Sequence, residues 1–497
     1  MVRKTVKVLL VGEAAREHAI AEAICRSRLD PKLYAAMKLN NPGIASLCKI
    51  TGGEVILGDY QNPEFVVETA KKHHVDFVFV GPEEPLFRGV SDELEKEGIP
   101  CIGAKRKPAE LEMSKAFMRR LMWKHRIPGR LRFKAFSNVE DAIAYIKEYA
   151  ESVALKPARQ AGGKGVKVIA DLQAYLTSEK THVKEEHAKA IDEKYMKDYT
   201  DIEDRILIEE RVEGPEYTLQ TFTDGRTVKP LPLVQDNKNA FEMDIGPETG
   251  GMGSIAGKGM LLPFVTEEEY RRSVEIVKSC VRAVEKETGE KYKGIVSGQM
   301  MCTVSWGPTI IEFYSRLGDP EAVNVLPILE TDLIEICEAI IEERLNKIKM
   351  KFKEVATVVK CIAPKGYPEE RNLAKGHPVH INEETIKKRG CKVYYASTNL
   401  QPNGKIISGG SRLVEIFGTG KTIPEAGRKV EECIPYVWLE DGWGVFHRSD
   451  IGSEQLLEKR IEQANLIRAV YKYRAKKGLI GKTVEWIPKK GKIILET

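Results

Sequence analysis

Lys7-Val8-Leu9-Leu10-Val11-Gly12 is a short apolar run that ends in glycine, and a helical pattern of apolar residues follows it over residues 18–24. An apolar run of this length predicts a strand buried on both faces of a parallel sheet. A second strand is predicted at residues 75–80 (VDFVFV) and a third at 99–103 (IPCIG). Strands that alternate with helices predict a doubly wound α/β domain over residues 1–108.

The rest of the chain predicts three further parts. Residues 109–344 combine helices and strands with long glycine-rich loops. Residues 345–452 hold short strands and turns, which favour a small β-rich domain. Residues 453–497 contain an amphipathic helix and a basic tail. We therefore expect a multidomain protein of α/β and α+β class, in keeping with 497 residues at about 100–200 per domain.

The composition argues against several classes of protein. The 78 basic and 73 acidic residues give a net charge of only +5, without the basic stripe of a nucleic-acid-binding protein. No apolar run approaches the ~18 residues of a membrane-spanning helix, and residues 1–7 lack the apolar stretch of a signal peptide. Nine scattered cysteines without a C-x-x-C pair are typical of reduced thiols. We expect a cytoplasmic protein that binds neither nucleic acid nor membrane.

Two glycine-rich segments are candidates for ligand binding. Residues 160–165 (QAGGKG) follow a predicted strand that carries Lys156. Glycines let the backbone approach phosphate oxygens and lysines neutralise their charge, although a tight hairpin turn is the alternative. Residues 244–253 (DIGPETGGMG) hold four glycines and one proline in ten residues, which predicts a shaped loop near a ligand.

Two segments rich in carboxylates are candidates for a nucleotide and a metal. Residues 209–216 (EERVEGPE) follow a strand and could offer backbone groups to an adenine and a carboxylate to a ribose, the alternative being a solvated loop. Residues 311–321 bring Glu312, Arg316 and Asp319 close together in sequence. A carboxylate combined with phosphate oxygens is the usual way to hold Mg²⁺, whereas a salt-bridged surface turn is the alternative.

Residues 418–422 (GTGKT) imitate a phosphate-binding loop, but its leading glycine would be position 415, which is glutamate. Thr422, Pro424 and Glu425 instead predict the start of a helix that the threonine caps. We therefore expect this segment to be structural.

Taken in order, these segments resemble the phosphoribosylamine–glycine ligase family of the ATP-grasp superfamily over residues 6–452. The resemblance is carried by residues 16–19 (REHA), 80–86 (VGPEEPL), 114–117 (SKAF), 156–165, 235–238 (QDNK), 246–253, 316–321 and 448–452 (RSDIG). It implies a central ATP-grasp domain at 109–344 with a mobile lid at about 132–222, followed by the C-terminal domain and an extension.

The resemblance also implies an activity. ATP, with Mg²⁺ or alternatively Mn²⁺, would convert glycine to glycyl phosphate. The amine of 5-phosphoribosylamine would then attack it, giving glycinamide ribonucleotide, ADP and phosphate for de novo purine biosynthesis. The expected partners are these small molecules, and the expected state is a monomer or small homo-oligomer.

The family's functional residues are carried over by matching motifs. ATP would be held by Lys115, Lys156, Gly163, Lys164, Gly165, Glu209, Glu210, Val212 and Glu216. The loops at residues 12–16, 81–84 and 244–253 would hold phosphoribosylamine. The substrate-binding residues as a whole would be Gly12, Arg16, Glu17, Gly81, Pro82, Glu83, Asp236, Lys238, Asp244, Gly250, Gly251, Met252 and Gly253. Glu312 would bind the metal, with Gln299 and Tyr314 as further candidates. The catalytic residues would be Arg316 and Asp319, facing glycine or its acyl phosphate, and Lys156.

Three departures from the family pattern leave alternatives open. Residues 13–15 (EAA) stand where the family is glycine-rich, Tyr314 stands where it has asparagine, and Asn239 replaces a basic residue. The alternatives are an ATP-grasp ligase with altered substrates and a catalytically weak paralogue that acts as a binding protein. A substrate screen and Mg²⁺-dependent ATP turnover would distinguish them.

Overall fold

The computed structural model describes residues 5–148, 153–159, 167–168, 185–196, 203–487 and 491–495. The chain divides into two compact units. The first unit comprises Met1–Ala109, Glu216–Gln299 and Tyr314–Glu462, and the second comprises Glu110–Pro215, Met300–Phe313 and Gln463–Thr497.

The N-terminal part of the first unit is a five-stranded parallel sheet, as predicted. Its strands are β1 (Val6–Val11), β2 (Pro31–Met37), β3 (Val55–Leu57), β4 (Phe77–Val80) and β5 (Cys101–Ile102). The strand order is β3-β2-β1-β4-β5. The intervening helices are Ala15–Cys25, Pro42–Ile50, Pro63–His73, Glu84–Phe87 and Val90–Lys96.

The order of these strands predicts where a ligand would bind to the sheet. The chain winds one way from β1 to β2 and β3, and the other way from β1 to β4 and β5. In open parallel sheets, ligands bind beyond the carboxyl ends of the strands at such a reversal. The loops that follow β1 and β4, which begin at Gly12 and Gly81, lie at this point.

The second unit contains an antiparallel sheet with the order β6-β9-β7-β8. Its strands are β6 (Phe133–Phe136), β7 (Val153–Pro157), β8 (Lys167–Val168) and β9 (Ile206–Glu210). Helices Arg106–Met113, Lys115–Lys124 and Val139–Glu148 precede β7, and a π-helical turn spans Ile191–Tyr195. Phe136, Leu155, Ile206 and Ile208 are among its buried core residues.

The larger sheet of the first unit continues from the central segment into the C-terminal segment. Its strands are β10 (Glu216–Asp224), β11 (Val228–Pro230), β12 (Val234–Asp236), β15 (Gly253–Ala256), β16 (Lys293–Thr303), β18 (Ala356–Pro364), β20 (Lys392–Tyr395), β23 (Val414–Gly420) and β25 (Val445–Phe446), with hairpin β13 (Asn239–Phe241) and β14 (Ile245–Glu248) inserted. Because β15 pairs with β18, the sheet does not break at the predicted boundary of 344/345. That boundary stays a prediction.

Further elements complete the two units. The chain runs into the second unit along β16 and returns along β17 (Gly307–Tyr314). A four-stranded sheet contains β19 (Lys375–Ile381), β21 (Thr398–Leu400), β22 (Ile406–Gly409) and β24 (Val437–Leu439), and the tail forms hairpin β26 (Thr483–Ile487) and β27 (Gly491–Leu495). The remaining helices are Glu267–Thr288, Glu321–Val325, Leu333–Ile341, Glu383–Lys388, Ile423–Glu431 and Glu454–Lys476.

The segment that imitates a phosphate-binding loop is structural, as predicted. Thr422 is the N-cap of helix Ile423–Glu431, and its hydroxyl accepts the N–H of Glu425 at 3.3 Å. Separately, none of the helices in the described part of the chain is both long and apolar enough to cross a membrane.

Candidate active site

The loop after β1 is organised around Glu17, which is 1% exposed. Its carboxylate accepts the N–H of Ala14 at 2.7 Å and Nε of Arg16 at 2.5 Å. A Cβ at Gly12 or Gly81 would clash with the Glu17 side chain, and Gly12 also has φ +119°. These two glycines therefore make room for a buried carboxylate, a reason that the sequence pattern did not reveal.

Arg16, Glu83 and Arg316 come together from three distant segments. Arg316 Nε donates to Glu83 Oε2 at 3.1 Å, and Arg16 Nη1 donates to the carbonyl of Leu317 at 3.2 Å. The Arg316 guanidinium lies 4.4 Å from the ring centroid of Tyr314. Burial alone would raise the pKa of Glu83, but Arg316 and Arg16 outweigh it and lower that pKa. The cluster thus holds an ionised Glu83 carboxylate that accepts a hydrogen bond from Arg316, while Arg16 stabilises its charge electrostatically.

Glu13, one of the departures from the family pattern, occupies two main-chain donors. Its Oε2 accepts the N–H of Lys38 at 2.5 Å and of Leu39 at 2.6 Å, just beyond β2. Its own carbonyl accepts Nδ2 of Asn41 at 2.7 Å. Burial raises the pKa of the Glu13 carboxyl. Successive backbone N–H groups of this kind bind anions, so Glu13 supplies an internal anion here.

The glycine-rich loop after β14 is packed tightly against its neighbours. The N–H of Gly250 donates to the hydroxyl of Tyr367 at 2.9 Å. Gly251 has φ +108°, and a Cβ there would lie 2.6 Å from Asp236 Oδ1. Met252 is fully buried in the core rather than presented to a ligand. The loop next to Asp236 therefore requires glycine at Gly251, and its predicted contact with a ligand stays a prediction.

Asp236 is a partly buried acid at the end of β12, and its Oδ1 atom is buried. Among the described residues, its Oδ1 has no hydrogen-bond partner. Burial, and then the nearby Glu321, raise its pKa well above the ordinary value. An unsatisfied buried polar atom is costly, so a substrate group that pairs with Asp236 would be bound favourably.

Asp244 and Glu216 are engaged by protein side chains. Asp244 accepts Nη1 of Arg448 at 3.1 Å and Nη2 of Arg460 at 2.6 Å, which secures the β13–β14 hairpin. Glu216 Oε2 accepts Nε2 of Gln299 at 2.7 Å. The same oxygen lies 3.5 Å from Nζ of Lys238. The structure therefore groups Glu216, Lys238 and Gln299, three of the predicted site residues.

In the second unit, a buried ionic cluster joins Arg119, Lys156 and Glu209. Arg119 donates to both carboxylate oxygens of Glu209, at 2.5 and 3.1 Å, and Lys156 Nζ lies 2.9 Å from Glu209 Oε2. Arg119 also donates to the carbonyls of Ile310 and Ile311 at 2.8 and 3.0 Å. Burial alone would raise the pKa of Glu209, but Arg119 and then Lys156 hold it at about 2.

The structure describes some of the other residues that were predicted to bind ATP, but not all of them. Glu210 Oε1 accepts Nε1 of Trp306 at 2.8 Å, and Val212 follows in the loop after β9. Gly163, Lys164 and Gly165 lie outside the described residues. Their predicted contact with phosphate therefore stays a prediction.

Glu312 is suited to share a divalent cation with a phosphate. It lies on β17, is 9% exposed, and its Oε1 is 3.7 Å from Nζ of Lys115. In the part of the chain that the structure describes, no three His, Cys, Asp or Glu residues form a metal-binding group. Mg²⁺ is commonly held by one or two carboxylates plus substrate phosphates, so the carboxylate of Glu312 could supply the protein ligand while Lys115 faces a phosphate.

Family models match along most of the chain. They are the N domain of phosphoribosylglycinamide synthetase at residues 6–112, its ATP-grasp (A) domain at 113–322 and its C domain at 357–454. A curated relative from Methanopyrus kandleri, named phosphoribosylamine–glycine ligase, is 44% identical over 467 residues, which cover 93% of this chain and 99% of the relative. The chain belongs to the phosphoribosylamine–glycine ligase family.

Further proteins are similar to this chain in sequence or in fold. The relative from Pyrococcus abyssi is 43% identical over 92% of this chain and 96% of its own length. The crystal structure of the Thermotoga maritima phosphoribosylamine–glycine ligase superposes with a TM-score of 0.70 at 25% identity, covering 90% of this chain and all of that one. A biotin carboxylase domain from Hydrogenobacter thermophilus, described as a complex with MgADP, shares the fold at 16% identity, with a TM-score of 0.63 and coverage of 94% and 98%.

The family establishes what the chain does. It is an ATP-grasp ligase that uses ATP and a divalent metal to join glycine to 5-phosphoribosylamine in purine biosynthesis. The predicted family, fold class and activity are confirmed, and nothing in the comparisons favours an altered substrate or a weak paralogue.

Two residues that support this phosphoribosylamine–glycine ligase site were missed in the sequence. His18 Nδ1 accepts the N–H of Tyr395 at 2.9 Å, and burial lowers the pKa of His18 to about 4, so the ring is a neutral acceptor. Arg119 holds Glu209 in place. The REHA motif marked His18 without a role, whereas the only signal for Arg119 was an arginine in a mostly apolar helix.

Proposed function

We propose that one group of the described residues binds the nucleotide and that another group activates glycine. In the second unit, Lys115 and Lys156 neutralise ATP phosphates, and the strand end at Glu210 and Val212 lines the adenine. Glu209 orients Lys156, because its carboxylate is buried against that ammonium and Arg119. This changes the role expected for Glu209 from contact with adenine to positioning.

Glycine activation is assigned to the cluster of Arg16, Glu83 and Arg316, together with Asp319. Arg316 would face the carboxylate of glycine and then the acyl phosphate, because a planar guanidinium neutralises developing phosphoryl charge. Glu83 fixes its orientation through Nε. Phosphoryl transfer depends on alignment and charge neutralisation, which this pre-formed cluster provides.

Phosphoribosylamine is assigned to the crevice at the ends of β1 and β4 and to the loop of Gly250 and Gly251. Asp236 lies beside that loop, and its buried Oδ1 has no hydrogen-bond partner among the described residues, so Asp236 would accept a hydrogen bond from the substrate or donate one to it. The amine then attacks the glycyl carbonyl carbon, the C–O bond to phosphate breaks, and the amine proton leaves with phosphate or solvent.

Mg²⁺ is the proposed metal, with Glu312 as its protein ligand. When bound, it would neutralise phosphate charge on ATP. The biotin carboxylase relative that is described with MgADP supports this choice. Gln299 is assigned to Glu216 instead, since its amide already donates there.

Location, assembly and domain limits complete the proposal. Nine cysteines without a disulfide support a reducing, cytoplasmic location. A monomer or small homo-oligomer is proposed and would be checked by analytical ultracentrifugation. The proposed domain limits are 1–108, 109–344, 345–452 and 453–497, and the family models match at 6–112, 113–322 and 357–454.

The experiment that tests this function is ADP release from Mg²⁺-ATP with glycine and freshly generated phosphoribosylamine, added singly and together. Release that requires both substrates is expected. Release with glycine alone, unaffected by phosphoribosylamine, would indicate a different acceptor. No release from folded, ATP-binding protein would support the weak paralogue.

Removing the negative charge of Glu13 is expected to strengthen the binding of the anionic substrate. Two like charges ~4 Å apart repel each other by ~1 kcal/mol in bulk water and by ~4 kcal/mol near a protein surface. Glu13→Gln keeps an acceptor for the N–H groups of Lys38 and Leu39, so it should lower the KM for phosphoribosylamine roughly tenfold, about 1.4 kcal/mol. The exposed Glu64→Gln in the same domain is the control. An unchanged or higher KM would show that the carboxylate does not oppose the substrate.

The Mg²⁺ concentration that the enzyme requires distinguishes the role of Glu312 from that of Tyr314. Glu312→Gln should raise the half-saturating Mg²⁺ concentration by roughly tenfold or more, because a neutral amide is a weaker ligand than a carboxylate. Tyr314→Phe should leave it unchanged, since the ring face that Arg316 contacts is retained. Titration of ADP release with Mg²⁺ is the measurement. A rise in Tyr314→Phe would make the phenol oxygen a metal ligand.

A further inference from the structure

Arg412, between β22 and β23, joins two segments to which the proposed function assigns substrates. Its Nη1 donates to the carbonyls of Gly250, Gly251 and Asp319 at 3.0, 2.9 and 3.1 Å. Its Nη2 lies 2.9 Å from Asp319 Oδ1. The Arg412 and Asp319 side chains are only 11% and 10% exposed. A single guanidinium therefore links the glycine-rich loop to Asp319.

The protonation state of the neighbouring Glu415 indicates which carboxylate Arg412 neutralises. Glu415 on β23 is fully buried, and its Oε1 lies 3.6 Å from Nη1 of Arg412, beyond hydrogen-bond distance. Burial, and then Asp319, raise the pKa of Glu415 well above its ordinary value. For Asp319, burial acts in the same direction, but Arg412 is the first of the groups that outweigh it and lower the pKa to about 2. Glu415 is thus neutral and Asp319 carries the charge that Arg412 neutralises.

We propose that Arg412 is a positioning residue for glycine activation, through which the C-terminal segment holds Asp319 and the loop of Gly250 and Gly251 in one fixed arrangement. This inference rests on the proposed role of Asp319 toward glycine. Arg412 contacts both segments through carbonyls as well as a charge, so a point charge at this position would replace only part of the link. Displacement of a positioned group by ~1 Å can cost ~10²-fold in rate.

The test compares Arg412→Gln and Arg412→Lys with wild type in full-length protein. Arg412→Gln should lower kcat/KM for glycine roughly 100-fold while KM for ATP stays within about twofold. Arg412→Lys should recover part of the loss. Arg389→Gln, an exposed arginine of the same C-terminal segment that pairs with Glu432, is the matched control and should behave as wild type. Glu415→Gln should also keep wild-type kcat/KM, because glutamine resembles a neutral glutamic acid.

The outcomes separate this inference from the proposed function. If wild type shows no release dependent on both substrates, the proposed function fails first. If wild type is active and Arg412→Gln keeps its kcat/KM for glycine, or if KM for ATP rises well beyond twofold, Arg412 has no specific positioning role toward glycine. A large loss in Glu415→Gln would also overturn the inference, since it would show that Arg412 serves an ionised Glu415. Should Arg412→Gln fail to fold, Arg412→Lys decides by the same two quantities: a lower kcat/KM for glycine with an unchanged KM for ATP supports the inference, and a wild-type kcat/KM for glycine overturns it.

Discussion

Arg316→Lys is expected to reduce the kcat of ligation by roughly 10²–10³-fold, the usual loss when one transition-state donor is removed. Arg316 uses separate parts of its guanidinium for Glu83, for the carbonyl of Leu317 and for the ring of Tyr314. A lysine ammonium cannot make these three contacts at once while facing a phosphoryl group. The measurement is kcat from ADP release under saturating substrates.

The KM for ATP should change little in Arg316→Lys, because the nucleotide is assigned to Lys115 and Lys156. Arg389→Lys is the matched control, since Arg389 also lies over a tyrosine ring, 5.3 Å from the centroid of Tyr436. That control should keep wild-type kcat. Wild-type kcat in Arg316→Lys would remove Arg316 from the catalytic residues.

Arg119→Met is expected to destabilise the second unit by roughly 3–5 kcal/mol, the usual cost of leaving a buried charge without its partner. Glu209 would keep only Lys156, and the carbonyls of Ile310 and Ile311 would lose their shared donor. Methionine is close to arginine in length, so packing changes little. Urea unfolding followed by tryptophan fluorescence is the measurement, because Trp123 and Trp306 lie in this unit.

The neighbouring Arg120→Met is the control for Arg119→Met. Arg120 is on the same helix, but its side chain is 49% exposed in its pair with Asp204, and such pairs contribute ~0–1 kcal/mol. Equal stabilities of the two variants would mean that the buried cluster is not stabilising.

The stability difference between wild type and Arg119→Met should depend on pH. The folded-state pKa of Glu209 is about 2, below the ~4.3 of an unfolded glutamate. A lowered folded-state pKa contributes stability that is complete above pH ~4.3 and is lost as the pH falls toward 2. The difference should therefore be largest at neutral pH and shrink in acid. A difference that grows in acid would contradict the assigned charge of Glu209.

The sequence by itself determined the fold class and the family, and its assignment of site residues stays a prediction. The apolar runs at β1 and β4 identified the parallel sheet, because a strand buried on both faces must be apolar throughout. The order and spacing of REHA, GPEEP and the glycine-rich loop identified the ligase. Thr422 was recognised as a helix cap because its partner is only three residues away.

Only the tertiary structure decided how the buried charges pair. Arg119 meets Glu209 across 90 residues, Arg316 meets Glu83 across 233, and Arg412 meets Gly251 across 161. A local pattern carries no information about such partners, since burial and charge pairing depend on which segments the fold brings together. The same reason explains why the sequence did not reveal a packing role for Gly12 and Gly81, whose missing side chains make room for Glu17.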